Sequence, residues 1–244
     1  MTARTPKFHS GAQDGRLVKS LPFVVRLASS ERDLFDVVSL RSRTYSRHKA
    51  PAAHLVQAPE DQDLRGDGLI LVARSKVDGI AVGSVRVQTR IRRPLSVESA
   101  MRLPNDVVAR NPIELMRGSI INGVAGRMVS ASLAKTTFLL CQQFSFSHVI
   151  VTCREPVDLM YRAYRFDELL NGKLIDLPYS PGAQHKVLCL PIDEAAERWR
   201  LENRPLYDFM VDTKHPDIQL DYVQVQQQLA RVAAGSTSDR ALSI

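Results

Sequence analysis

Short apolar runs recur along the chain, and the stretches between them carry helical spacing or turn-forming residues. "LPFVVRLA" (21–28) predicts a first strand. Ser29 or Ser30 can cap the helix that follows, where Leu34, Val37, Val38 and Tyr45 fall on one face. "GLILVARS" (68–75) and "GIAVGSVRVQTR" (79–90) predict two strands joined through Lys76-Val77-Asp78-Gly79, and Asp-Gly is a hairpin signal. "IELMRGSII" (113–121) predicts a strand, 125–144 a long helix, and "HVIVTC" (148–153) another strand. A helix is expected over 155–170, a strand at "KVLCLPI" (186–192), and helices near 193–202 and 217–233. Residues 47–67 and 91–112 are broken by prolines and predict long loops. Residues 1–20 are polar, basic and aperiodic, and disorder is expected there. Strands that first pair locally and then alternate with helices indicate an α/β fold, a mixed central sheet flanked by helices. The expected domain spans 21–192, with a helical extension over 193–244.

One strand breaks the pattern. "IELMRGSIIN" (113–122) sets Glu114 and Arg117 into an apolar run. Side chains alternate along a strand, so positions 114 and 117 should face opposite sides. One extra residue, a β-bulge between Glu114 and Gly118, would bring both to one face, and Gly118 would ease it. The pair is then either a structural ion pair or part of a reaction site.

Composition narrows the choices. The net charge of +7 suits an acidic partner, whether nucleic acid, anionic membrane or protein. Cys141, Cys153 and Cys189 lie far apart in apolar surroundings, without a C-x-x-C pair, and predict buried thiols in a reducing compartment, hence a cytoplasmic protein. Cys153 lacks a recognisable histidine partner, so a structural thiol is favoured over a nucleophile. No metal site is expected. The N-terminus has no apolar signal core, and no apolar run is long enough to span a bilayer. Phosphate-loop, dinucleotide, H-E-x-x-H and G-x-S-x-G signatures are missing, which argues against NTPases, dinucleotide enzymes, zinc hydrolases and α/β-hydrolases.

The order of elements resembles the GNAT acyltransferase fold over about residues 24–192. Within it, "LRSRTY" (40–45), "EDQDLRGD" (60–67), "GSVRV" (83–87) and "IELMRG" (113–118) resemble the branch shared by long-chain N-acyl amino acid synthases and acyl-homoserine-lactone autoinducer synthases. The chain departs from that branch in two respects. "NGVAGRM" (122–128) only loosely echoes the pyrophosphate loop of acetyl-CoA enzymes, and the sole tryptophan is Trp199, not one near the start. The resemblance implies an N-acyltransferase that moves a long acyl chain from acyl carrier protein to the amine of an amino acid, with no tightly bound cofactor. The donor is then an acyl-phosphopantetheine thioester, on acyl carrier protein or on CoA. An autoinducer synthase and a non-catalytic acyl-carrier or acyl-lipid binding module are the alternatives.

By the same resemblance Glu114 is the expected general base, and Tyr161, in "MYRAYRF" (160–166), the expected general acid toward the leaving thiolate. Arg41, Arg86 and Arg117 are expected to bind substrate, the first two through a carboxylate. A solvated helix face or a salt bridge to the acidic loop is the alternative for Arg41. Asp61, Asp63 and Asp67 either are solvated loop charges, order their loop or meet the substrate amine. Met116, Gly118, Ile120, Ile121, Asn122, Gly126 and Arg127 are expected along the acyl and pantetheine path, while Met160 and Phe166 are core residues able to line an acyl slot. Arg86, Arg90, Arg92, Arg93, Arg102 and Arg110, against Glu98 and Asp106, form a basic stretch suited to an acidic carrier protein. No aromatic platform or recognition helix accompanies it, so nucleic acid is not expected.

Overall fold

The computed structural model describes residues 17–47 and 53–234. Of the stretch 1–20 expected to be disordered, residues 17–20 are described, and Leu17–Val18 pairs in parallel with Thr213–Lys214. Residues 1–16, part of the first loop (48–52) and the chain beyond 234 lie outside the described residues. The principal strands are β1 (Phe23–Leu27), β2 (Gly68–Ser75), β3 (Ala81–Thr89), β4 (Ile113–Ile120), β5 (His148–Cys153) and β6 (Ser180–Pro191). The principal helices are α1 (Glu31–Arg47), α2 (Gly123–Phe144), α3 (Val157–Ala163), α4 (Ile192–Glu202) and α5 (Tyr222–Ala234). The six strands lie in chain order within a nine-stranded sheet. Neighbours are antiparallel except β4 and β5, which are parallel. A parallel pair needs a crossover, and α2 supplies it.

Two layers cover the sheet. On one face α2 packs its Val129, Leu133, Phe138 and Leu140 into the main core, with Val25, Leu71, Val85, Val87 and Ile113 of the strands. Gly83 makes this approach possible: a Cβ there would sit 2.2 Å from Val129 Cγ1. On the other face α1 buries Val37 and Leu40 against Val72 and Ala81. The expected loop 91–112 contains two short helical turns, Ser96–Ser99 and Asn105–Val108. It folds its Leu95, Val97, Leu103 and Val107 onto Ile150, Val187 and Cys189.

The segment after β6 shares the main core. Trp199 of α4 is fully buried, 4.9 Å edge-on from the Phe138 ring, and its Nε1 donates to the Tyr164 carbonyl at 2.9 Å. Val225 and Leu229 of α5 belong to the same core. Ile218–Gln219 adds a parallel strand beside β1. The helix expected over 155–170 is confined to α3, and a short strand, Asp167–Glu168, follows it. Phe166 N–H donates to the Tyr161 carbonyl, and Arg165 takes a left-handed φ of 67°, a conformation that ends the helix. The three cysteines are free and buried, and burial raises each thiol pKa.

Candidate active site

The bulge lies where the charge pattern of β4 places it. Ser84 pairs with Ser119 and Arg86 with Met116, so Val85 alone opposes Arg117 and Gly118. The left-handed residue is Arg117, at φ 53°, and not Gly118. That conformation disfavours a residue with a Cβ by about 1–2 kcal/mol, so surrounding contacts must hold it. Arg117 donates to Glu60 at 2.9 and 2.7 Å and to the Tyr179 carbonyl at 3.2 Å. The extra residue turns Arg117 toward the face that carries Glu114 and Met116.

β4 and β5 pair only from Ile113–Val149 to Leu115–Val151. Past that point β4 runs on to Ile120 with no partner on its β5 side among the described residues, and β5 turns to β6. Gly118 is exposed in this opening, with nothing within 4 Å of where a Cβ would be. Beyond the opening, Asn122 is exposed at the N-terminus of α2, and Arg127 is exposed in the first turns. Gly126 is required by packing, because a Cβ would lie 1.9 Å from the Ile121 carbonyl oxygen.

Glu114 is fully buried. Its carboxylate accepts from Val97 N–H at 3.0 Å and from the Tyr179 hydroxyl at 3.1 Å. Burial pushes its pKa up to about 7, and the two hydrogen bonds restrain the rise. A carboxyl held there suits proton transfer near neutrality. Glu114 does not itself line the cavity nearby. Tyr179 does: it is one wall of a cavity of about 500 Å³ that also touches Gln88, Arg92, Arg93 and Ser96. The Tyr179 hydroxyl also lies 3.5 Å from Thr152 Oγ1, on the β5 bank of the opening.

The remaining charges form one buried network. Asp63 accepts from Arg41 at 2.7 Å and from Arg86 at 3.0 Å. Glu60 pairs with Arg86 and Arg117. Burial alone would raise the Glu60 pKa, but the two guanidiniums hold it down at about 2. Arg86, expected to receive a substrate carboxylate, is occupied by protein carboxylates and also donates to Gln62. Arg41 forms the alternative salt bridge to the acidic loop and leaves its Nε and Nη2 without partners among the described residues. Asp63 therefore orders its loop. Asp61 stands outside the network, exposed and paired with Arg65 at 2.8 Å. Asp67 faces the cavity rim.

Tyr161 lies on the opposite face of the sheet, with Leu115, Phe138 and Phe166 around a small apolar slot. Its ring meets Phe166 edge-on at 5.3 Å. Burial raises its pKa, and its hydroxyl makes no hydrogen bond among the described residues. The slot holds only about 30 Å³. Ile120 and Ile121 are half-buried beside Gly126, and Met116 is buried near Arg86. Among the described residues there is no metal-ligand cluster, and no helix is long and apolar enough to cross a membrane.

Sequence reasoning missed Glu60 and Tyr179. Glu60 and Asp63 are three residues apart on one helical turn, a spacing that puts both on one side. That signal was available. Tyr179 follows a β-strand in a Pro-rich hairpin, and nothing local marks it as a partner of Glu114.

No protein-family model and no curated protein sequence matches the chain. Solved structures do. FeeM, an N-acyl amino acid synthase from uncultured soil microbes, superposes with a TM-score of 0.55 at 13% identity, covering 72% of this chain and 93% of that one. The AHL synthase LasI superposes with a TM-score of 0.52 at 13% identity, covering 71% and 93%. At such identity the likeness speaks for architecture alone. With the mixed sheet, the bulged β4 and the parted β4–β5 pair, it establishes that the chain has the α/β fold of GNAT-like acyltransferases.

Proposed function

We propose that the protein is an N-acyltransferase that moves an acyl group from a phosphopantetheine thioester to the amine of an amino acid. The parting of β4 and β5 beyond Leu115 and Val151 carries this reading. It exposes strand backbone between Gly118 and α2, where a pantetheine arm can hydrogen-bond as a strand would. Asn122 and Arg127 would meet its phosphate at the start of α2, where unpaired N–H groups favour an anion.

The amine nitrogen forms a bond to the thioester carbonyl carbon, and the carbon–sulfur bond breaks. The amine proton passes through the Tyr179 hydroxyl to Glu114. Tyr161 delivers a proton to the departing thiolate. Backbone N–H groups of the unpaired β4 segment would receive the oxyanion. A long acyl chain would enter between Leu115 and Tyr161, and must displace side chains that now leave about 30 Å³. Acyl carrier protein is the proposed donor, although Arg86 of the basic stretch is buried among protein carboxylates and Arg90 and Arg110 pair with Glu98 and Asp193.

The test is incubation of the full chain with acyl carrier protein thioesters of graded chain length and the common amino acids, followed by mass analysis. N-acyl amino acids should form, and Glu114→Gln should lower the rate by about 10²–10⁴. A lactone as product would replace the amino acid reading. Tight thioester binding without any product would mark a binding module.

A further inference from the structure

Arg86 is committed to protein carboxylates, and Arg41 holds Asp63 while its Nε and Nη2, unpartnered among the described residues, are buried outside the cavity lining, so the acceptor's own carboxylate needs another partner. The cavity beside Tyr179 offers one. β3 ends at Thr89, and Pro94 follows Arg92 and Arg93 in the turn that leaves the sheet. Both arginines therefore stand at the rim, with side chains 36% and 49% exposed. A guanidinium carries five N–H donors. Neither arginine forms a hydrogen bond with any other group among the described residues. Their charged neighbour is Asp67, at 3.9 Å from Arg92 and 3.8 Å from Arg93, beyond hydrogen-bond reach. Arg65 stands 3.8 Å from the same carboxylate, while its hydrogen bond goes to Asp61.

One carboxylate thus faces three guanidiniums. The other acid in the wall, Glu98, is already engaged: Arg90 Nε donates to it at 3.0 Å, and Leu95 N–H at 2.7 Å. The rim keeps an excess of positive charge and unused donors. The wall formed by Tyr179, Gln88 and Ser96 is uncharged, and its tyrosine leads to Glu114. The volume, about 500 Å³, lies in the range of small-molecule sites. An anionic group at one end and a proton acceptor at the other match a molecule with a carboxylate and an amine.

We propose that this cavity is the acceptor site, in which Arg92 and Arg93 bind the carboxylate of a free amino acid and Tyr179 faces its amine. The word acceptor rests on the acyl-transfer reading; the carboxylate site does not. The arginine pair is thereby a specificity determinant that excludes simple amines, because a guanidinium pair left without its anion gains nothing from them. A phosphate is the other anion able to use such donors, so the experiment includes one.

Saturation-transfer NMR on the full chain, with each common amino acid in turn, should reveal at least one that binds. Its methyl ester, which keeps the amine and loses the carboxylate charge, should bind at least about tenfold more weakly. The double variant Arg92→Ala/Arg93→Ala should weaken the amino acid by a similar factor, and Arg92→Lys/Arg93→Lys should recover part of it. Phosphopantetheine binding should be unchanged in both. The proposal is overturned if no amino acid binds the wild type, if the ester binds equally well, or if the alanine variant loses phosphopantetheine instead. The ester comparison needs no variant, so a folding defect cannot mask the answer. Binding as expected without acyl transfer would overturn the enzyme reading and leave the carboxylate site standing; transfer with binding unaffected by the substitutions would do the reverse.

Discussion

Tyr179 donates its hydroxyl to the buried Glu114 at 3.1 Å and also lines the cavity of about 500 Å³. The same residue accepts from Arg117 through its backbone carbonyl. The two charges of β4 are therefore tied to one tyrosine from a distant hairpin.

Tyr179→Phe keeps the ring and removes the relay. Acyl transfer is expected to fall by about 10²-fold, in the range of a lost acid–base group. The hydrogen bond from Tyr179 lowers the Glu114 pKa, so its loss should move the acidic limb of the pH–rate profile upward from near 7. Rates measured from pH 5 to 9 check both effects. An unchanged profile would exclude Tyr179 from the proton path.

Glu114 also makes folding pH-dependent. Its folded pKa, about 7, lies above the unfolded value of 4.5. Between those values the folded state binds more protons than the unfolded state, so stability falls as pH rises through that window. The full cost, up to about 3 kcal/mol, is reached above pH 7. Glu114→Gln should remove this slope. Urea unfolding at pH 4.5 and 7.5 should show the variant gaining on the wild type at the higher pH.

The sign reverses for Glu60. Its folded pKa, about 2, lies below 4.5, so its stabilising contribution is complete above pH 4.5 and is lost as pH falls toward 2. Partial exposure screens the pairs, and about 1–2 kcal/mol is a reasonable size. Glu60→Gln should flatten acid unfolding over that window. Asp63→Asn, which leaves buried Arg41 and Arg86 poorly compensated, should cost about 3–5 kcal/mol at neutral pH by chemical denaturation.

Gly83 and Val129 set the approach of α2 to the sheet. Gly83→Ala should destabilise by about 1–3 kcal/mol through overpacking. Val129→Ala on its own leaves a void. The two together should cost less than their sum, a coupling that a double-mutant cycle reads directly.

Periodicity located the main strands and helices because each buries a continuous apolar face. It overextended the helix after β5, since "YRFDELL" continues the apolar spacing while Arg165 and Phe166 turn the backbone. The bulge was legible because Glu114 and Arg117 conflict with a two-residue repeat. Gly118 drew the strained conformation in the sequence reading, yet Arg117 holds it, fastened by Glu60 and Tyr179. Those anchors come from residues 57 and 62 positions away from Arg117, and no local pattern encodes such pairings. For Arg41 the salt bridge to the acidic loop, one of the readings open in the sequence, is the one formed, with Asp63. For Arg86 residue type suggests a substrate carboxylate, and only the tertiary structure places Asp63 and Glu60 there.

Ile218 and Gln219 lie along β1, and Asp167–Glu168 and Ile175–Leu177 lie along β6. Each margin of the sheet is therefore occupied by a short piece of its own chain. Exposed strand margins recruit other polypeptides and seed aggregates. Proteolytic loss of residues beyond 203 would bare β1, and the clipped protein should self-associate through that margin even where the rest of the sheet stays folded.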